Sequence, residues 1–213
     1  MRLYMSFNYI TMVLIKDRKE AKMKIADEMI LENETLGKIN GFLKAFEWMN
    51  HKLNHQYWFF VKDYKKCSVD EALEQYKHSF KNPEKIIVEN SEVNSELFNL
   101  HYDLYDLFDD WLFAFQKDDN GKDFLIDERF SSFFQDEEGR AEIIKELISW
   151  LEIMMYGFEC LDNPDKFYEL VESGELKVYS VNANADNSYD LVYDDILLVG
   201  KNKTLLIHLG YSD

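Results

Sequence analysis

Closely spaced carboxylates are the first residues of this chain that could do chemistry. Asp103 with Asp106, Asp109 with Asp110, and Asp194 with Asp195 are such pairs. Two carboxylates a turn apart, or side by side, can hold a divalent cation or divide acid and base work between them. A solvated acidic face uses the same pairs equally well, so in a chain this acidic they do not by themselves indicate catalysis. The segment QKDDNGKDFLID, residues 116–127, puts Asp118, Asn120, Gly121 and Asp127 at the spacing of an EF-hand calcium loop. Gln116 stands where that loop needs its first acid, and Asp123 replaces its apolar anchor, so a hairpin turn is the better reading.

Histidine and cysteine offer less. His51 and His55 lie four apart, as metal-binding pairs on a helix do, but Lys52 occupies the place of a zinc protease's glutamate. No third ligand is evident, and His78, His101 and His208 are isolated. Phosphate-cradling glycine loops, the nucleophile elbow and C-x-x-C are all absent, and no cofactor is implied. Cys67 and Cys160 are too few for a disulfide framework and read as reduced thiols of a cytoplasmic protein. The apolar start MRLYMSFNYITMVLI is broken by Ser6, Asn8 and Thr11 and lacks a cleavage signal. It is expected to be a buried first element, neither a signal peptide nor a membrane span.

The charge is segregated. Residues 1–90 carry 15 Lys+Arg against 13 Asp+Glu, whereas residues 91–213 carry 9 against 28. Nearly all of the net −17 therefore belongs to the second part. Such a field repels nucleic-acid phosphates and anionic membranes, and it attracts basic proteins and speeds their encounter. The stretch YDLYDLFDDWLFAF, residues 102–115, concentrates the pattern: four aspartates among aromatics, with no basic residue.

The elements that must carry these residues follow from periodicity and punctuation. A charged helix is expected over 16–31, and Leu36, Ile39, Leu43, Phe46, Met49 and Leu53 recur at helical steps. QYWFFV, 56–61, suits a helix end or a buried strand. Ser68 with Glu71 is a capping-box signature for a helix from 69 to about 80, which Asn82-Pro83 ends. IIV, 86–88, reads as a short strand, and a helix opens near 91–94 and runs to about 110. On it Leu104, Leu107, Phe108 and Trp111 face the core, while Asp103, Asp106 and Asp110 form an outer strip with Asp109 and Tyr102 beside it. A hairpin about Asn120-Gly121 is expected next, over 111–117 and 122–127, with a helix continuing to Phe115 as the competitor. A long helix over 137–158 has Glu142, Lys145, Glu146, Ser149 and Glu152 on its wet face. Asn163-Pro164 opens a short helix that Gly174 closes. KVYSVNA, YDLVYDDILLVG and TLLIHLG read as strands across 176–209, the last two joined by the KNK turn.

The expectation is thus one compact α+β domain over residues 1–213: a near-neutral, mainly helical part to residue 90, then an acidic part ending in antiparallel strands. In character it resembles the small acidic cytoplasmic proteins that protect bacteria from their own secreted toxins, a likeness of type rather than of motif. That likeness implies a non-catalytic immunity protein that neutralises a basic toxin domain, without binding nucleic acid or membrane. Asp103, Asp106, Asp109 and Asp110 would steer the encounter, with Tyr102, Trp111 and the Tyr193, Asp194, Asp195, Tyr211 region as contacts. Two alternatives use the same carboxylates: a nucleic-acid mimic that blocks a DNA- or RNA-binding protein, and a metal-dependent hydrolase built on an aspartate cluster.

Overall fold

The computed structural model describes residues 32–49, 56–80, 82–92, 100–114, 137–157, 166–184 and 192–212. In chain order these form helix α1 over 32–49, strand β1 (Gln56–Asp63), helix α2 (Val69–Lys77) and strand β2 (Ile87–Glu92). Helix α3 (Leu100–Asp109) continues as a π-helical turn, Asp110–Ala114. Then come α4 (Glu137–Tyr156), α5 (Lys166–Glu172), β3 (Lys177–Asn184), β4 (Val192–Val199) and β5 (Thr204–Ser212). The strands make one antiparallel sheet in the order β1-β5-β4-β3-β2, which makes the fold α+β.

Local signals explain most element ends. At α2 the Ser68 hydroxyl accepts from the Glu71 N–H, and the Glu71 carboxylate accepts from the Ser68 N–H at 2.8 Å, a complete capping box. Helices α4 and α5 stop at Gly157 and Gly174, whose φ of 77° and 74° suit glycine and reverse the chain. In β1 the alternation is strict: Tyr57, Phe59 and Val61 are buried, while Trp58, Phe60 and Lys62 lie on the other face.

Both faces of the sheet are covered. Against the first, α1, α3 with its π turn, α4 and α5 pack Leu43, Phe46, Leu104, Phe108, Leu147, Leu151 and Leu170 onto Phe59, Val178, Leu198, Leu205, Ile207 and Leu209. Against the second, α2 and its flanks pack Tyr64, Ala72, Tyr76, Phe80 and Ile86 onto Tyr179, Val181, Leu197 and Leu206. The β4–β5 turn is drawn into this packing. Gly200 lacks a Cβ that would stand 2.9 Å from Met155 Cε of α4. The buried Lys203 ammonium lies 2.7 Å from Glu32 and 3.7 Å from Asp63.

Helix α1 also closes the β1 edge of the sheet. The Asn40 side chain donates to the Val61 carbonyl at 2.9 Å and accepts from the Val61 N–H at 2.7 Å, as a neighbouring strand would. Two turns further on, Glu47 accepts from the Phe59 N–H at 2.8 Å, and Lys44 pairs with that carboxylate. Side chains of a helix thus satisfy the outward backbone groups that would otherwise template another strand.

Several expectations need correction. Residues 110–114 do not begin a hairpin: the helix runs on with a widened turn, which lets the consecutive Trp111, Leu112 and Phe113 all be buried. Ser91 and Glu92 do not open a helix but complete β2, opposite Ser180 and Tyr179. Strands β1 and β2, from the part expected to be mainly helical, flank the three C-terminal strands. Glu152 is 6% exposed rather than on a wet face, because α4 is covered more broadly than one stripe. The helix over 16–31, His51, His55, Asn120-Gly121, the EF-hand-like loop, Cys160 and Asn163-Pro164 lie outside the described residues.

The edge contact gives the first prediction. Asn40→Ala should lose about 1–3 kcal/mol of stability, since it strips both polar groups of Val61 of their partner. It should also promote concentration-dependent self-association through β1. Urea denaturation and light scattering read the two effects, and a variant as stable and monodisperse as the parent contradicts the role given to Asn40.

Candidate functional site

The acidic strip is built by α3. Asp106 and Asp110 are exposed, Asp106 one turn before Asp110, and neither makes an ion pair among the described residues. Asp109 lies 3.7 Å from Arg140 of α4, whose guanidinium also sits 5.9 Å from the centre of the Phe113 ring. Partial burial raises the Asp109 carboxyl above its usual range, Arg140 pulls it back down, and Asp110, Asp106 and Glu137 push it up again. The strip is therefore a run of carboxylates with Arg140 as a cationic neighbour, and repulsion within it favours an external cation. Tyr102 and Asp103 fall on the first turn of α3, and their side chains are outside the described residues.

The aromatic and C-terminal residues expected beside it are placed otherwise. Trp111 is 3% exposed, packs on Phe59 and Tyr211, and donates its indole N–H to Asp194 at 2.7 Å. A partner cannot reach that ring as it stands, so Trp111 serves the core rather than an exposed contact. Tyr211 is half-buried between Trp111 and Tyr57, at ring separations of 6.2 and 5.8 Å. The Tyr193 hydroxyl accepts from the Ala183 N–H and donates to its carbonyl, at 2.9 and 3.0 Å, tying β4 to β3. Asp194 is exposed but already engaged by Trp111.

Asp195 belongs to a buried polar cluster on the second face. It is 2% exposed; one carboxylate oxygen accepts from the Tyr76 hydroxyl, and the other lies 2.7 Å from His208 Nδ1. His208, itself 2% exposed, is stacked on Phe60 at 4.6 Å between ring centres, with the Tyr193 ring near-parallel at 6.5 Å. A carboxylate that orients an imidazole is a familiar catalytic arrangement, but here every member also has a structural use. The chain's register brings them together: Val199 pairs with Thr204, and four steps back along each strand Asp195 stands opposite His208. The KNK turn carried that information in the sequence, whereas Tyr76, 119 residues from Asp195, had no such signal.

Exposed aromatics occur elsewhere. Trp48 on α1 is 82% exposed and Trp58 on β1 is 45% exposed, with the Lys44 ammonium 5.5 Å from the Trp58 ring centre. Among the described residues no three His, Cys, Asp or Glu side chains come together to hold a metal ion. In those residues no helix is long and apolar enough to cross a membrane. Comparison with known proteins adds nothing to this geometry: no family model, curated protein or solved structure matches the chain.

Two predictions follow from the buried carboxyls. Asp195→Ala leaves a phenol and an imidazole buried without their acceptor, and should cost about 2–4 kcal/mol in denaturant unfolding. An unchanged midpoint would mean that Tyr76 and His208 find other partners. Burial holds the Glu152 carboxyl up to about 7, against 4.5 for an ordinary glutamate. The folded chain then binds that proton more tightly than the unfolded chain does, so this residue favours folding most at low pH. The advantage is lost as pH rises toward about 7. Glu152→Gln should accordingly raise the melting temperature near pH 8 and change it little near about pH 4.5. An equal effect at both pH values contradicts the assignment.

Proposed function

We propose that this chain is a non-catalytic acidic binding protein that neutralises a basic protein partner, as a toxin-immunity protein does in the cytoplasm. The observation that carries the reading is the exposed pair Asp106 and Asp110 on α3 and its π turn, without an ion pair among the described residues, within a part of the chain whose charge is overwhelmingly acidic. Aspartate is a poor helix former, and a stable surface helix is better served by glutamate with lysine one turn on. A steep negative field is instead what accelerates encounter with a cationic surface.

The proposal divides labour between two sets of residues. Asp106 and Asp110, flanked by Asp103 and Asp109, supply attraction. Trp48 and Trp58 replace Trp111 as candidate anchors, because exposed tryptophan buries a large area with little loss of rotamer freedom. Tyr193, Asp194, Asp195 and Tyr211 hold the scaffold that presents both sets.

The test uses the tagged chain as bait in its own organism, with bound proteins identified by mass spectrometry and their association rates then measured. A stoichiometric basic partner is expected, with an association rate that falls as salt rises. Asp106→Lys with Asp110→Lys should slow association roughly tenfold or more at low salt, and leave the melting temperature nearly unchanged. A partner that binds the reversed variant as fast as the parent overturns the reading. One displaced by DNA shifts it to mimicry of nucleic acid.

A further inference from the structure

The two edges of the sheet are treated differently. At β1 the Asn40 and Glu47 side chains of α1 take up backbone groups of Val61 and Phe59. At the other edge β2 pairs with β3 along its whole length, Ile87 to Glu92. Among the described residues nothing bonds the backbone on its outer side. In an antiparallel edge strand every second residue turns its N–H and C=O outward, so half of the six residues of β2 offer both groups. Proline, lysine and a bulge, common means of blunting an edge, are absent from this strand. Its charged residues are Glu89 and Glu92.

The side chains of β2 narrow what can add there. Val88 packs onto the second-face cluster, so Ile87 and Glu89 stand on the first face. Both are exposed, Ile87 at 60%. Glu89 makes no ion pair among the described residues. Glu92 is taken by Lys177 at 3.2 Å, and Glu84 and Lys85 in the turn before β2 offset each other. The edge is therefore completed by backbone hydrogen bonds, an apolar neighbour for Ile87 and, two positions along on the same face, a cation for Glu89. A second copy does not supply that cation. Paired through its own β2 it would bring glutamates to glutamates, on chains that each carry a net charge of −17.

We propose that the open edge of β2 docks an extended segment of a protein partner, added to the sheet as a sixth strand. The segment places an apolar side chain beside Ile87 and a lysine or arginine, two positions along, beside Glu89. This rests on the reading above only in taking the partner to be a basic protein, and it names the kind of strand by which that protein is held. Such docking draws affinity from main-chain hydrogen bonds and specificity from alternate side chains.

The experiment follows amide hydrogen exchange of β2 in the full chain, with the capped peptide Thr-Val-Thr-Lys-Thr-Val-Thr-Lys as probe. At about twice its dissociation constant the peptide should slow exchange of the outward β2 amides roughly threefold. Replacing its lysines by glutamate should weaken binding roughly threefold or more, and N-methylating alternate residues on the bonding side should abolish it. Glu89→Lys, a change at the surface, should reverse the preference between the two charges. Asp106→Lys with Asp110→Lys should leave that preference as it was, so failure at the edge is distinct from failure of the reading built on α3. No protection by the lysine peptide, equal protection by the glutamate peptide, or protection that survives N-methylation overturns the proposal. So does protection of β2 that grows with protein concentration in the absence of peptide, which would mean that a second copy covers the edge.

Discussion

The β4–β5 hairpin is buried on both faces, and this constraint organises the rest of the molecule. Leu205, Ile207 and Leu209 point into one layer and Leu206 and His208 into the other, and all are nearly inaccessible. A strand in that position needs cover on each side. Helices α1, α3, α4 and α5 provide it on the first face, and α2 with Tyr64, Phe80 and Ile86 on the second. Where the hairpin is covered on both sides, at Asp195 and His208, no water reaches the polar side chains, and Asp195 joins His208 to Tyr76. Lys203 in the turn is held under the same pressure by Glu32 and Asp63.

That pressure bears on function by removing candidates. Trp111, Asp194, Asp195 and Tyr193, attractive as contacts by type, are engaged in joining helix to strand and strand to strand. Among the described residues, two outward surfaces remain as candidates beside the open edge of β2. The first is the carboxylate strip of α3, opposed locally by Arg140 at Asp109. The second is the aromatic and basic surface around β1, where α1 seals the strand's edge but leaves Trp48 and Trp58 exposed.

Much of the local structure was legible because its causes are local. The capping box at Ser68, the stripes of α1 and α4, Gly174 as a helix stop and the KNK turn each depend on residues a few positions apart. The solvent side of α3 was equally readable, and Asp106 and Asp110 are exposed as helical spacing requires. Failures came where distant parts meet. Periodicity cannot tell that β1 pairs with β5 across the chain, that Asn40 completes its edge, or that Tyr76 reaches Asp195. Nor can it foresee a π turn that buries three successive residues, or a Glu152 submerged by neighbours from other elements. Helical spacing puts Trp111 on the core side but does not exclude it as a partner contact; the Asp194 that engages its indole lies 83 residues away, beyond any window.

Amide hydrogen exchange on the free chain tests most directly the claim that this hairpin is the keel. The account predicts that the slowest amides are those of Ile196 to Leu198 and Leu205 to Leu209, exchanging only through global unfolding, with β2 at the sheet's other edge exchanging much faster. Amides of β4 and β5 that exchange as readily as those of β2 would contradict it.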